Sequence, residues 1–403
     1  MSETLNVFYD RKLVGRINRS GGQWRFQYDE NWLASADSFA VSVSLPLRRE
    51  PFDNDRARPF FANLLPEGGV RDAIARSIGV SINNDFELLK AFGGECAGAL
   101  SITDQDKPDD RFDGYTLIEE DTLYRKIKEV SLHPFLLQDG MRLSLAGAQH
   151  KMPVFYDEGK FYLPKGDGAT THIVKPPMAA FSNSVENEFF CMRLAAVVGL
   201  PVADVRMVFI KDIPVLLCAR YDRVVKHGRV VRFHQEDFCQ ALGFSYDQKY
   251  ESEGGPGLKD CFRLLEQYGS QPMADKMNLL RWIIFNQVIG NADAHAKNIS
   301  LLYRDRQIRL APFYDLLSTA VYPALASRMA MKIGGENRAE WVKARHWERL
   351  ADDVQIKASL VAEEYRRLSD AIMKQGPVLA DELHVDADDI LKRIQKGTGK
   401  KNE

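Results

Sequence analysis

Nowhere in the 403 residues is there a run of about eighteen apolar side chains, so no stretch reads as a membrane span. The opening "MSETLNVFYDRK" is polar and then strand-like, and it lacks the apolar core of a secretory signal. Cysteine is sparse: Cys96, Cys191, Cys218, Cys239 and Cys261 are odd in number, far apart and set in apolar surroundings. That pattern argues against a disulfide framework or a zinc cluster and predicts buried free thiols in a reducing cytoplasm. An excess of either charge is also missing, with 54 basic against 56 acidic residues and a formal net charge of −2. Autonomous nucleic-acid binding usually needs a strongly basic surface, so it is not expected of this chain alone. What remains is an ordinary soluble composition, 45% hydrophobic and 27% charged, long enough for two or three subdomains. A cytoplasmic protein is the expectation.

Secondary-structure signals divide the chain unevenly. "NVFYD" and "LVGRI" predict a hairpin around Arg11 and Lys12, and "WRFQY" continues the alternation. "PFFANLLPEGGVRDAIARSIG" reads as helical segments broken by Pro66 and the Gly68–Gly69 pair. The polar stretch 103–114 is the best candidate linker. Beyond it the pattern is mostly β: "MPVFY" and "KFYLP" flank a turn at Asp157–Glu158–Gly159, and Pro176 must end the strand "THIVK". "SVENEFFCMRLAAVVGL" predicts a helix with Ser184 as N-cap. "DIPVLLCARYD" is an apolar strand, and helical patterns dominate from there: "QEDFCQALG", "GLKDCFRLLEQYG", "MADKMNLLRWIIFNQVIG" and 337–375. A β-rich middle followed by a helical carboxyl half predicts a bilobal layout with a cleft between lobes.

The segment "NADAHAKN", 291–298, follows one of the most apolar helices in the chain and is too polar for a core. Gly290 ends the helix, so these residues form a loop. "ISLLY" and "IRLAPFYD" then read as a hairpin across "RDRQ". If Tyr303 pairs with Ile308, antiparallel register sets Asn298 opposite Phe313, with Asp315 just beyond. An amide oxygen and a carboxylate brought together suit Mg²⁺ better than zinc. Asp293 stands five residues before Asn298, the spacing of a protein-kinase catalytic loop. There the Asp takes or orients the proton of the attacking hydroxyl, and the Asn and later Asp hold magnesium. Lys297 is placed to neutralise the transferring phosphoryl group, and His295 to hold the loop.

The nucleotide side is read from the middle of the chain. Lys175 ends an apolar strand and suits the lysine that holds the α and β phosphates; Glu186 or Glu188 on the next helix is its candidate acidic partner. "SLAGAQHKM", 144–152, lies between strand-like stretches, and Gly147 lets backbone amides approach phosphate closely. Cys218 to Tyr221 is a candidate hinge segment whose backbone meets adenine.

Taken together, "SLAGAQHKM", "THIVKPP", "ENEFFCMRLAAVVGLPV", "ARYDR", "HQEDFCQALG", "GNADAHAKNIS" and "LAPFYDLL" resemble the HipA family of bacterial toxin kinases. "NWLAS", "SVSLPL", "FFANLLPEG" and "FELLKAFGGECAGAL" are similar to that family's N-terminal subdomain, so the likeness spans nearly the whole chain in order. The resemblance implies a Ser/Thr protein kinase using ATP and Mg²⁺, the toxin half of a type II toxin–antitoxin module. It implies a HipB-like helix-turn-helix antitoxin as partner, operator DNA reached through that complex, and a protein substrate. By position, Asp293 becomes the catalytic aspartate, with Lys297 beside it, and Asn298 and Asp315 the metal ligands. Lys175 becomes the phosphate lysine. The nucleotide contacts become Ala146, Gly147, Ala148, Gln149, Lys151, Cys218, Ala219, Tyr221, Gln235, His295 and Asn298. Ser144 matches the family's autophosphorylated serine, and phosphate there adds about two negative charges beside the triphosphate site. His150 departs from the acidic residue that some members carry, while Gln235, Glu236 and Asp237 match a family stretch and are expected to line the site.

The expected fold is α+β, a diverged bilobal protein-kinase-like fold. It comprises an N-terminal mixed subdomain over 1–105, a β-rich N-lobe over 106–220 and an all-helical C-lobe over 221–403. The expected function is growth arrest by phosphorylation of a translation component, such as glutamyl-tRNA synthetase. Two other readings stay open: a kinase-fold interaction protein acting as operator co-repressor, and a small-molecule phosphotransferase.

Overall fold

The computed structural model describes residues 3–106, 114–130, 147, 149–164 and 168–397. Near the amino terminus, Glu3–Tyr9 and Lys12–Ser20 form the expected hairpin. Tyr9 faces Lys12, so the turn sits at Asp10–Arg11, one residue early. Gln23–Tyr28 and Leu100–Thr103 complete a four-stranded sheet, each on an outer side. Alternation in Gln23–Tyr28 is complete: Trp24, Phe26 and Tyr28 are buried, and the residues between them are exposed. Those rings enter one core with Trp32, Phe52, Phe60, Phe61 and Phe86, the last three supplied by helices Asn54–Ala62 and Asp85–Phe92. The Asp53 side chain caps the first of these helices by accepting from Arg56 N. A further helix, Gly68–Ser77, starts on the glycine pair that was expected to break it.

A six-stranded sheet follows, in the order Tyr115–Leu117, Lys160–Pro164, Met152–Asp157, His172–Lys175, Ile213–Ala219, Val205–Ile210. Asp157 pairs with Lys160 around Glu158–Gly159, and the strand His172–Lys175 stops at Pro176, both as the sequence predicts. Helix Ser184–Val197 begins one residue earlier than expected: Asn183, at φ 51°, is the N-cap, and the Ser184 hydroxyl instead accepts from Met178 N.

Two compact units emerge. One contains 1–176, 208–247 and 302–304; the other contains 177–207, 248–301 and 305–403. The α+β class stands. Helices Leu258–Tyr268, Pro272–Ile289, Ala344–Asp353, Ala358–Leu383 and Asp388–Gly397 dominate the carboxyl half without filling it. Short strands share that half: Arg223–Lys226 and Arg229–Arg232 precede these helices, and Ser300–Arg304, Gln307–Leu310 and Arg328–Ile333 lie between the second and third. The segment "HQED" is also a strand, His234–Asp237, and Asp237 then caps the short helix Phe238–Leu242 in a reciprocal box with Gln240. All five cysteines are free, and burial pushes the Cys96 thiol up to about 12, so it is a packing group rather than a nucleophile. No described helix is long and apolar enough to cross a membrane.

Candidate active site

In the second unit, helix Pro272–Ile289 ends at Gly290 in the left-handed conformation, and the polar loop begins where expected. The loop is nevertheless buried at Asn291, His295, Lys297 and Asn298. Its two asparagines are tolerated there because their side chains are hydrogen-bonded within the loop and to the helix before it. Asn291 donates to Asn286 Oδ1 at 2.8 Å and accepts from Asp293 N at 3.1 Å. Asn298 Nδ2 donates to the Asp293 carbonyl at 3.0 Å, which closes the loop on its two key residues. Lys297 is held through its carbonyl, which accepts from the Tyr314 hydroxyl at 2.8 Å. The Asp293 side chain stays half exposed, with Tyr250 Oη donating to Oδ1 at 2.6 Å and His295 Nε2 3.9 Å from the same oxygen.

The hairpin that follows has the expected register. Ala311 N donates to Ser300 O at 2.8 Å, but the ladder does not extend to the expected pairing of Asn298 with Phe313: Asn298 closes the short turn Ala296–Asn298, and Phe313 N donates to Pro201 O at 2.8 Å while its carbonyl accepts from Ala203 N at 2.9 Å. The Phe313 ring stacks on Trp282, 5.9 Å between centroids, anchoring the segment after the returning strand to helix Pro272–Ile289. At Asp315 the backbone turns to φ 55°, an uncommon conformation that Asp tolerates better than most residues. Ser318 and Thr319 then bind back to the helix end: Ser318 Oγ donates to Ile289 O at 2.6 Å, and Thr319 Oγ1 to Gly290 O at 3.1 Å.

This donor set suits a hard cation. Because Asn298 Nδ2 is committed to Asp293 O, its carbonyl oxygen is the end that would serve as a ligand, with the Asp315 carboxylate as its candidate partner. Among the described residues, no three His, Cys, Asp or Glu side chains cluster to enclose an ion by themselves. A cation on Asn298 and Asp315 would therefore take the rest of its shell from phosphate and water.

The first unit carries most of the residues read as nucleotide contacts, whereas His295 and Asn298 lie in the second. Lys175 ends its strand opposite Leu216 and is only 4% exposed, rare for a lysine. On the neighbouring strand, Cys218 faces Ile173 and Ala219 faces His172, and both are partly exposed. The Tyr221 hydroxyl donates to Gln235 Oε1, which joins two of the expected residues. Gly147 lies at φ 110°, where a side chain would be strained and would meet Lys151 Nζ at 2.6 Å. Its carbonyl accepts from Glu67 N at 3.2 Å, tying this loop position to the amino-terminal helices. Gln149 is half-buried. Ser144, Ala146 and Ala148 lie outside the described residues. In the second unit, burial separates the two candidate acids, Glu188 being buried and Glu186 partly exposed.

Two polar clusters were not anticipated. Glu95 accepts from Arg220 Nη1 at 3.0 Å, Arg223 Nη2 at 3.2 Å and Thr170 N at 3.0 Å. Asp222 accepts from Arg223 Nη1 at 2.7 Å, Arg220 Nη2 at 3.1 Å and Gly98 N at 2.8 Å. Burial pushes both carboxyls up, but the flanking arginines hold them below their ordinary values. In the second cluster, buried Glu236 accepts from Val43 N at 3.0 Å and from the Tyr303 hydroxyl, while His234 Nε2 meets Val41 O at 2.7 Å. "ARYDR" and "HQED" carried the only local signal: charged residues directly beside apolar strands.

Comparison with known proteins identifies the family. The HipA N-terminal domain profile matches residues 5–103, and the HipA-like C-terminal domain profile matches 143–376. Y4mE of Sinorhizobium fredii, provisionally named a kinase, is 43% identical, covering 95% of this chain and 94% of its own. The serine/threonine-protein kinase toxin HipA of Shewanella oneidensis is 32% identical, over 91% of this chain and 87% of its own. A solved complex of Shewanella oneidensis HipA, HipB and operator DNA superposes with a TM-score of 0.84 at 29% identity, covering 98% of this chain and 97% of that one. With its C-terminal profile spanning more than half of it and a named toxin kinase alike over nine-tenths of it, the chain belongs to the HipA family.

Proposed function

We propose that this protein is an ATP- and Mg²⁺-dependent serine/threonine kinase and the toxin of a type II toxin–antitoxin pair. One observation carries the reading: the Asn298 amide closes on the Asp293 carbonyl at 3.0 Å, so the aspartate and the amide of a kinase catalytic loop belong to one rigid turn. In this reading Asp293 accepts the proton of the acceptor hydroxyl, and Lys297 offsets charge on the phosphoryl oxygens. Lys175 grips the α and β phosphates, and Gly147, Gln149 and Lys151 cover them. Mg²⁺, held by Asn298 and Asp315, would neutralise the phosphates. Backbone groups at Cys218, Ala219 and Tyr221, with Gln235, receive the base. Ser144 is the self-phosphorylated residue that shuts the enzyme off, and the cellular target is a component of translation.

The test is label transfer from radiolabelled ATP to the chain itself. Asp293→Asn and Asp315→Asn each abolish it with unfolding midpoints unchanged; Asn fits the left-handed backbone at 315, so the loss there is one of charge, not fold. Retained transfer in both variants would sink the proposal. A second role, co-repression, is favoured by the Shewanella oneidensis complex, which holds HipA with HipB and operator DNA. We propose a HipB-like antitoxin for this chain too, reaching DNA through it. An Asp293→Asn chain that still tightens the antitoxin on its operator separates this role from catalysis.

A further inference from the structure

We infer that Tyr250 is a positioning residue for Asp293: its hydroxyl pins one carboxylate oxygen so that the other meets the acceptor hydroxyl. The catalytic consequence rests on the kinase reading above; the contact itself does not.

At 2.6 Å, the Tyr250 Oη to Asp293 Oδ1 bond lies in the short range of hydroxyl–carboxylate hydrogen bonds. The Tyr250 ring meets His295 edge-on, 5.5 Å between centroids, so the tyrosine is seated against the loop at two points. Its own backbone is braced. Glu253 N and Gly255 N both donate to Tyr250 O at 3.0 Å, and a side chain at Gly255 would lie 2.1 Å from Gln248 O, so the turn closes only around glycine. The next residue, Glu251, accepts from Lys332 N at 2.6 Å and pairs with Lys332 Nζ at 3.3 Å. Lys332 lies in strand Arg328–Ile333, and from that strand Ala330 N donates to Ala292 O at 2.9 Å. One strand therefore holds both the backbone before Asp293 and the turn that presents Tyr250.

The physical need is clear. A half-exposed aspartate has two rotatable bonds and samples several orientations, whereas a base must stand within about 2.6–3.2 Å of the proton it takes. Pinning Oδ1 removes most of that freedom and leaves Oδ2 for the substrate. The competing view is a gate, in which the Tyr250 hydroxyl fills the acceptor's place and must leave. The closed bracing of the turn favours a fixed support, and the two views predict opposite signs.

The experiment uses the full chain. Tyr250→Phe keeps the ring and removes only the hydroxyl. It is expected to lower the maximal rate of self-labelling from radiolabelled ATP about tenfold, with half-saturating ATP within about twofold. An unchanged or faster rate would overturn the inference, the faster one in favour of the gate. A thermal cycle reads the contact without activity: Tyr250→Phe lowers the unfolding midpoint by about 1–2 °C in the wild-type background and not in Asp293→Ala. Equal shifts in both backgrounds overturn the contact. A wild-type chain that transfers no label overturns the kinase reading, and the catalytic consequence with it, while the cycle still judges the contact.

Discussion

Lys175 shows how much one side chain can say. A lysine 4% exposed at the end of an apolar strand is held in the interior against its hydration, which ordinary packing does not require. Replacing it with methionine removes the charge and keeps a side chain of similar length and volume. The same change should raise half-saturating ATP by at least about tenfold, since a lost charged phosphate contact is worth at least ~1.4 kcal/mol. Titration of ATP against Lys175→Met in an equilibrium binding assay checks both the site and the direction. Asp293 is the complementary case: a half-exposed aspartate looks ordinary alone, and gains meaning only from the groups fixed around it.

Elements bring such residues together, and their joints can be tested. Asn187, on helix Ser184–Val197, donates to Ser318 O at 2.9 Å and accepts from Ser318 N at 2.8 Å, while Ser318 Oγ reaches the end of helix Pro272–Ile289. Asn187→Ala strands two buried backbone groups, so denaturant unfolding should show a loss of about 2–4 kcal/mol. Strand His234–Asp237 carries a second test. Burial pushes Glu236 up to about 7 and His234 down to about 4. Folded Glu236 binds protons more tightly than the unfolded chain, so its contribution is full below its ordinary 4.5 and is lost as pH rises through about 7. Folded His234 binds them more weakly, so its contribution is full above its ordinary 6.5 and is lost as pH falls toward about 4. Between 4.5 and 6.5 the two slopes oppose each other, and the pair gives the wild-type chain little net dependence. Glu236→Gln removes one of them, and stability should then rise from pH 4 to 6.5 by about 3 kcal/mol, read by urea melts across that range.

For the whole molecule, the Glu95, Asp222, Arg220 and Arg223 quartet ties residues 95–98 to 170 and to the end of strand Ile213–Ala219 within one compact unit. Arg220→Met removes one cation and leaves two buried carboxylates sharing Arg223, so the chain should lose about 3–5 kcal/mol in denaturant unfolding. Replacing all four by apolar residues of similar volume should lose less than the single change, because no charge is then left without its counterpart.

Much of this was legible in the chain itself wherever the signal is local. Alternation at Gln23–Tyr28, the turn at Glu158–Gly159, the stop at Pro176 and the loop after Gly290 each follow from a few neighbouring residues and their backbone limits. So does the hairpin register that sets Ser300 opposite Ala311. The tertiary structure decided the rest, and separation along the chain is the reason. Tyr250 is 43 residues from Asp293, Glu95 is 125 from Arg220, and Val43 is 193 from Glu236. Periodicity cannot report a partner that far away. It also misjudges polar residues, because "NADAHAKN" looks like a solvated loop until its hydrogen bonds show how Asn291 and Asn298 are buried with partners. Composition and spacing settled which chemical groups this protein carries; only the fold settled which of them touch, because a buried polar group is stable only where its partner has already been placed.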